Sequence, residues 1–576
     1  MRFLLLNLLL LFLPFSLRAQ SYFEEISTQS RIANTGSGNQ GVAIADFDKD
    51  GDDDIYVFTR QNENKLFQNQ GNGNFLNVAP SYGLHYSNST RTAAWGDLNN
   101  DGWPDLYLAN YQHRDLLFIH KGMDEQGRIS FEEISLKAGI DNKNEPRSVV
   151  MADFNRDGLL DIYVCNYLSD NKYYQNRGNL TFEELSQEKG LTGHSFSMSA
   201  MAFDYDNDAD TDLYLVHDFL ATNLLFENNG QGEFIEKGEE LGLAIEGYGM
   251  GVDAADINRD GYLDLYITDL NQNYLMFNDQ GKEFYNIAEF SAVNDPGMGW
   301  SCFFEDFDND GWKDLYVVND SYFHRSPNAC YRNAQNSRFL KMAEEEAVSS
   351  WKGGLGGTSL DIDADGNMDI LISNNTPGEG NQLFRNLGKE AGNWLSIQLE
   401  GTQSNRDAIG ASIQVRYGQG EQQFDQLMAG SGYASQTGKK LHVGLGKSNL
   451  VDELKIQWPN GQIDLYHNLK VNRSYHFKQL PFSNKGKSDL VVKTISPNPF
   501  FSKINLEFTS TQAGKLRLDL TDFSGKKVFA CAHEVSKGGF HQIQQDLSYL
   551  PRGTYFLLLK WDGKNVFQQP LIKQKP

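Results

Sequence analysis

Cysteine is scarce. Cys165, Cys302, Cys330 and Cys531 are the whole complement of a 576-residue chain. Four thiols cannot build a disulfide scaffold. Cys302 and Cys330 fall in one repeat, on strands expected to lie one apart, so buried free thiols are the expected state. Long apolar runs are missing after residue 19, which leaves no segment of the ~20 residues that a membrane helix needs. Basic residues are outnumbered, 51 Lys and Arg against 76 Asp and Glu, and nucleic acid, which needs clustered Lys and Arg, is excluded as a partner. Catalytic signatures fail as well. His533-Glu534 has no second His at zinc-protease spacing. Gly446-Lys447-Ser448 has Leu441 where a phosphate loop needs its first Gly. Gly430-Ser431-Gly432 lacks the flanks of a nucleophile elbow. The eleven His do not cluster.

Aspartate in register is what the chain has instead. Asp46-Phe47-Asp48-Lys49-Asp50-Gly51-Asp52-Asp53-Asp54 reads D-x-[DN]-x-D-G-x-x-D and runs straight into Ile55-Tyr56-Val57. Six more copies begin at Asp97, Asp153, Asp204, Asp256, Asp306 and Asp361, spaced 50 to 56 residues apart. The third position is Asp48, Asn99, Asn155, Asp206, Asn258, Asp308 and Asp363. The fifth is Asp50, Asp101, Asp157, Asp208, Asp260, Asp310 and Asp365, and the ninth is Asp54, Asp105, Asp161, Asp212, Asp264, Asp314 and Asp369. The seventh offers its backbone carbonyl, at Asp52, Trp103, Leu159, Asp210, Tyr262, Trp312 and Asn367. An all-oxygen set of this kind suits calcium, which takes six to eight oxygens and tolerates irregular geometry. Up to seven structural calcium ions are therefore expected, and they would neutralise more than half of the net charge of −25. Gly at position six supplies the positive φ of a tight wrap, and only the fourth copy breaks it, with Ala209.

An EF-hand opens with similar letters but needs a bidentate Glu at position 12 and flanking helices. Position 12 is apolar here, from Val57 to Ile372, and both flanks are strand-like, so each ion loop is expected at the tip of a β-hairpin. A third strand signal follows, such as Lys65-Leu66-Phe67-Gln68-Asn69, then a Gly/Asn turn and a fourth strand opened by Phe75, Phe131, Phe182, Phe234, Phe284 or Phe339. Four short strands per unit describe a propeller blade. The seventh unit has no fourth strand, whereas Phe23-Glu24-Glu25-Ile26 stands unused before the first loop. The ring is expected to close by pairing residues 22–27 with 382–386. Trp95, Trp103, Trp300 and Trp312 flank loops and read as blade packing or as a sugar-binding surface.

These repeats resemble the FG-GAP/VCBS calcium repeats of integrin α-subunits and many secreted bacterial proteins, over residues 22–388. The resemblance implies ions that brace one face and a ligand surface on the opposite face. Residues 393–478, with Asn405-Arg406-Asp407-Ala408-Ile409-Gly410-Ala411 and Ile456-Gln457-Trp458-Pro459-Asn460-Gly461, resemble the ASPIC/UnbV domain of cartilage-acidic-protein-like proteins. After a polar linker at 481–488, residues 489–576 carry Ile495-Ser496-Pro497-Asn498-Pro499-Phe500 and a basic tail through Lys575. They are similar to the C-terminal sorting domain of type IX secretion in Bacteroidetes. Residues 1–19 read as a secretory signal, so the product is expected to be secreted or held at the outer-membrane surface, without a transmembrane segment. The expected fold class is all-β: a seven-bladed β-propeller, a small β domain and an Ig-like β-sandwich. The expected function is a calcium-binding, non-enzymatic adhesion module for a glycan or protein ligand, with the type IX machinery as a further partner. A polysaccharide-acting enzyme with its site opposite the ion loops, or a surface-layer component, stay open as alternatives.

Overall fold

A computed structural model describes residues 22–573 apart from 36–37, 72, 88, 194–195, 321–325, 336, 343–347, 377, 390, 431, 481–489, 497–499, 501, 511, 523–525, 537 and 552. The expected signal, the linker, Pro497-Asn498-Pro499 and Lys575 lie outside the described residues. The chain is all-β with a repeat propeller-like architecture. Seven small sheets each begin with an inner strand: Asn39–Ala45, Thr90–Gly96, Pro146–Ala152, Ser197–Phe203, Gly249–Ala255, Met298–Glu305 and Gly354–Leu360. Each inner strand packs on the next, and the last packs on the first. Their apolar, small-residue sequences follow from burial on both faces.

In six units the second strand carries a Tyr that is wholly buried: Tyr56, Tyr107, Tyr163, Tyr214, Tyr266 and Tyr316. A buried hydroxyl needs a partner. Five donate to a backbone carbonyl, as Tyr56 does to Leu84 at 2.8 Å and Tyr266 to Val293 at 2.7 Å. Tyr107 differs, donating to Asp115 Oδ2 at 2.8 Å. Three single-turn helices, Ala79–Tyr82, Ser135–Ala138 and Gly238–Leu241, follow fourth strands and were not expected from the sequence. They are too short to show a helical period, and each ends at a left-handed Gly.

The seventh unit is completed by the start of the chain. Phe23, Glu24 and Glu25 pair antiparallel with Asn386, Arg385 and Phe384. Ile26 N–H donates to Leu383 O at 2.8 Å, and Leu383 N–H donates to Ser27 Oγ at 2.8 Å. The outer strand thus comes from the far end of the sequence, as the orphan Phe23 segment predicts.

Residues 393–478 form two sheets. Asn393–Glu400 is the centre of one, and Ser412–Tyr417 and Leu450–Gln457 are the centre of the other. Between them, residues 427–439 leave the domain and enter the space enclosed by the seven inner strands. Every inner strand touches this insert. Val42 N–H donates to Ala434 O, Met151 N–H to Ala429 O, and Gly432 N–H to Val252 O. Gln436 is bonded both ways to the Trp95 backbone, at 2.7 and 2.9 Å. Ser199 Oγ donates to Gly432 O, Tyr433 N–H to Ser301 Oγ, and Gly357 N–H to Ser435 Oγ. Ser435–Gln436 even adds a short parallel strand beside Val42–Ala43. Gly432 holds φ +64°, and a Cβ there would run into Ser301. Two further sheets of three and four strands make up the C-terminal segment around Leu506, Phe508, Leu518 and Leu557. Cys165, Cys302, Cys330 and Cys531 are free thiols, and the strand that separates Cys302 from Cys330 explains why those two do not pair. Among the described residues no helix is long and apolar enough to cross a membrane.

Candidate functional site

All seven loops adopt one geometry. The position-one carboxylate accepts the N–H of position five at 3.0–3.2 Å. Its second oxygen accepts the N–H of position six at 2.6–3.0 Å. Position five accepts the N–H of position seven at 2.7–3.0 Å. Position-six glycines hold φ between 81° and 98°, and Ala209 is forced to +71°. Position four is also left-handed in every loop, at 56° to 65°, with no glycine among Lys49, Asn100, Arg156, Asn207, Arg259, Asn309 and Ala364.

Carboxylate oxygens come within 4.8 Å of one another at Asp46, Asp48 and Asp50, at Asp204, Asp206 and Asp212, at Asp306, Asp308 and Asp314, and at Asp361, Asp363 and Asp365. These are the four loops with Asp at position three, and each such group can hold a metal ion. In the other three, Asn99, Asn155 and Asn258 turn Nδ2 onto Asp101, Asp157 and Asp260 at 3.0 Å, so a hydrogen bond replaces one repulsion. Burial is the first cause of raised pKa values at position one, lifting Asp46 and Asp361 to about 6 and Asp153, Asp204 and Asp256 to about 7. Asp306 is likewise raised well above the usual carboxylate range, by burial first, with Asp310 and Asp308 adding to it. Buried like charges on hard oxygen donors are a fit for a divalent cation. The donors would be the side chains at positions one, three, five and nine with the carbonyl at seven.

Position nine does a second task. One oxygen accepts the N–H at the end of the third strand, at 2.7–2.9 Å in all seven units. That strand-end residue in turn bonds across to the neighbouring unit's loop, to the carbonyl at position two, at 2.7–3.1 Å. It is Asn69, Asn176, Asn228, Asn278, Asn333 or Asn386, and in the second unit His120. Asn69 reaches Ile362 of the seventh loop. Burial lowers the His120 pKa to about 4, keeping the ring neutral. Position four links loops as well. Asn100, Asn207 and Asn309 donate to Gly158, Gly261 and Gly366 carbonyls at 2.8–2.9 Å. Lys49 and Arg259 sit over the Trp103 and Trp312 rings, and Arg156 pairs with Asp210. The recurring Asn of the third strand was the sequence signal for this network. Trp103 and Trp312 are thereby placed in loop-to-loop contacts, and Trp95 is buried against Tyr56.

Residues 393–478 cover the loop face. Lys440 Nζ donates to Gly51 O at 2.9 Å, Arg406 N–H to Asn100 Oδ1 at 2.8 Å, and Gly446 N–H to Asn309 O at 2.7 Å. Lys313 lies half-buried between Glu305 at 3.5 Å and Asp425 at 3.1 Å, and also donates to His442 O at 3.2 Å. At the other end of the inner strands is a cavity of about 550 Å³. Six of the seven strands lend it their second residue, Gln40, Arg91, Arg147, Met198, Met250 and Leu355, and Trp300 comes from the seventh.

The family model for the FG-GAP-like repeat matches residues 46–108, 97–164, 153–215, 204–267, 258–317 and 306–372. This chain belongs to the FG-GAP-like repeat family. Two further models match the part outside the repeats, ASPIC and UnbV over 401–482 and the secretion system C-terminal sorting domain over 494–574. Curated relatives of this repeat protein include cartilage acidic protein 1 of Xenopus tropicalis, 25% identical over 76% of this chain and 73% of the relative. The Homo sapiens protein of the same name is 25% identical over 79% and 75%. Among solved structures, an Agrocybe aegerita lectin specific for non-reducing terminal N-acetylglucosamine aligns over 62% of this chain and 94% of its own, at 14% identity and a TM-score of 0.35. The sorting tail implies interaction with the type IX secretion machinery and indicates a secreted or cell-surface protein.

Proposed function

We propose that the chain is an exported binding module: a closed seven-bladed propeller of residues 22–388, braced by calcium, that takes an extracellular glycan or protein on the face opposite the ion loops. The single observation that carries the ion reading is the convergence of carboxylate oxygens within 4.8 Å in the four Asp-rich loops. The covering of the loop face by residues 393–478 supports a ligand surface at the other end. The Glu305–Lys313–Asp425 set bridges the propeller to its cover, and in this reading the module is non-enzymatic. Residues 489–576 act, in this reading, as a sorting domain folded as an Ig-like sandwich.

The test is thermal unfolding in EDTA and in millimolar calcium. An ion that binds only the native chain at a hundredfold excess over Kd adds about 3 kcal/mol per site, so the calcium midpoint is expected several degrees higher. Equal midpoints would end the ion reading. A glycan and protein array probed with the full chain in calcium tests the ligand reading, which fails if no component binds.

A further inference from the structure

The cavity opposite the ion loops is unusual in its charge. The chain as a whole carries −25, yet Arg60, Arg91 and Arg147 line this one mouth together. Among the described residues none of the three makes a salt bridge. Arg91 donates Nη1 to Gln40 Oε1 at 3.0 Å and lies 4.6 Å from the Tyr111 ring. Arg147 lies 4.5 Å from the Tyr167 ring. The two carboxylates on the cavity wall are Asp218 and Asp320. Asp218 is turned to the Phe219 N–H at 2.7 Å and the Tyr167 hydroxyl at 3.5 Å. Among the described lining residues three cations face two anions.

The donors are in excess too. Arg91 Nε, Arg147 Nη1 and Trp300 Nε1 are all buried without a hydrogen-bond partner among the described residues. A buried donor left unpaired costs roughly 1–3 kcal/mol, and three around one cavity point to a ligand that supplies acceptors. The floor is aromatic, with the Trp300 and Tyr433 rings 5.1 Å apart. Tyr433 belongs to the insert from the ASPIC/UnbV-like segment, so two parts of the chain build the site.

We propose that this mouth binds a uronate residue of an acidic glycan, with the carboxylate on Arg91 and Arg147 and the sugar ring over Trp300 and Tyr433. The inference rests on the reading of this face as the ligand face. A planar carboxylate suits the guanidinium fork. A uronate also brings hydroxyl and ring oxygens for the third donor, which an acid on a purely apolar body lacks. A volume of about 550 Å³ is that of a small-molecule site and far exceeds a bare anion.

Calorimetric titration of the full chain in calcium tests this, with a galacturonate trimer, its carboxyl-reduced neutral counterpart, and benzoate as probes. The trimer is expected to bind at least tenfold tighter than either control. Arg91→Gln with Arg147→Gln should weaken it at least tenfold, and Arg91→Lys with Arg147→Lys should recover part of that loss. Should the double Gln variant fail to fold, Arg60→Gln at the exposed rim is expected to weaken the trimer several-fold. Equal affinity for the neutral trimer, preference for benzoate, or variants that bind as the wild type would each overturn the proposal. Array ligands whose binding ignores Arg91 and Arg147 would leave the binding module standing and remove this site. An array without any binder would remove both.

Discussion

Asp115→Asn should make this protein more stable in alkali than the wild type, and no more stable in acid. Asp115 is fully buried. It accepts from Asn110 N–H at 2.8 Å, Tyr107 OH at 2.8 Å and Asn142 Nδ2 at 2.7 Å. At the equivalent point five other units place an asparagine, Asn64, Asn171, Asn223, Asn273 and Asn328, whose Oδ1 accepts the same strand-end N–H at 2.8–2.9 Å. In three of them Nδ2 donates to the buried tyrosine hydroxyl. The neutral amide is thus the arrangement the fold already uses. Burial pushes the Asp115 carboxyl from 3.8 to about 7, against three donors that lower it. Between those two values the native chain holds a proton that the unfolded chain has released. Stability therefore falls as pH rises through that window and is level above it. At about 1.4 kcal/mol per pH unit the full cost is about 4 kcal/mol. The amide takes the Oδ2 acceptor from both Asn142 Nδ2 and the Tyr107 hydroxyl, about 2–3 kcal/mol together. The variant should gain about 1–2 kcal/mol at pH 9 and fall below the wild type at pH 5. Urea unfolding of both proteins at pH 5, 7 and 9 in saturating calcium measures this, because the other titrating groups cancel in the difference. A difference independent of pH, or a loss at pH 9, would refute the reasoning.

Three other outcomes follow from the same packing. Ala209→Gly should relieve a left-handed non-glycine residue at φ +71°, worth roughly 1 kcal/mol, and tighten calcium at the fourth loop; a titration with no tighter site would count against strain. Lys313→Met leaves the buried Glu305 and the part-buried Asp425 without their shared cation, at a cost of about 3 kcal/mol, the low end for a buried pair, read by denaturant unfolding; a change below 1 kcal/mol would show that the network is not a lock. Removing residues 22–27 exposes the Gln382–Asn386 edge and should lower the unfolding midpoint of all seven units together, so a calorimetric scan with one early peak and an unshifted main transition would contradict ring closure.

What could be read from the sequence was whatever repeats. Seven loops in one register, each followed by a β-branched strand, identify themselves because position, spacing and residue type coincide. The missing fourth strand was legible for the same reason, since Phe23-Glu24-Glu25 matches Phe182-Glu183-Glu184 of a complete unit. The strand-end staple was half legible. Asn69 and Asn386 recur visibly, but His120 is recognised as their equivalent only when its Nε2 is seen 3.1 Å from Phe47 O. Contacts without a period were invisible. Gln436 meets Trp95 across 341 positions and Gln426 meets Asp204 across 222, and no local pattern announces either. The unpaired arginines were hidden for a related reason: Arg60, Arg91 and Arg147 lie in three different units and no motif joins them.

The insert decides which end of the ring is open. A propeller has two mouths, and a ligand site at the axis needs one of them free. At the ion-loop mouth, residues 427–439 fill the axis, and the sheets behind them spread over the loops through Lys440, Arg406, Gly446 and the Lys313 set. Several of these contacts fall on position-four residues that already bind the next loop. Asn100 takes Arg406 N–H on Oδ1 while its Nδ2 holds Gly158 O, and Asn309 faces His442 while holding Gly366 O. The cover is therefore fixed to the same side chains that tie the loops into a circle, and it cannot lift without loosening them. At the far mouth the insert stops at Tyr433, short of the rim formed by Arg60 and Gln61. The cover thus lies on the acidic-loop end, and the cavity lined by Arg60, Arg91 and Arg147 lies at the other mouth.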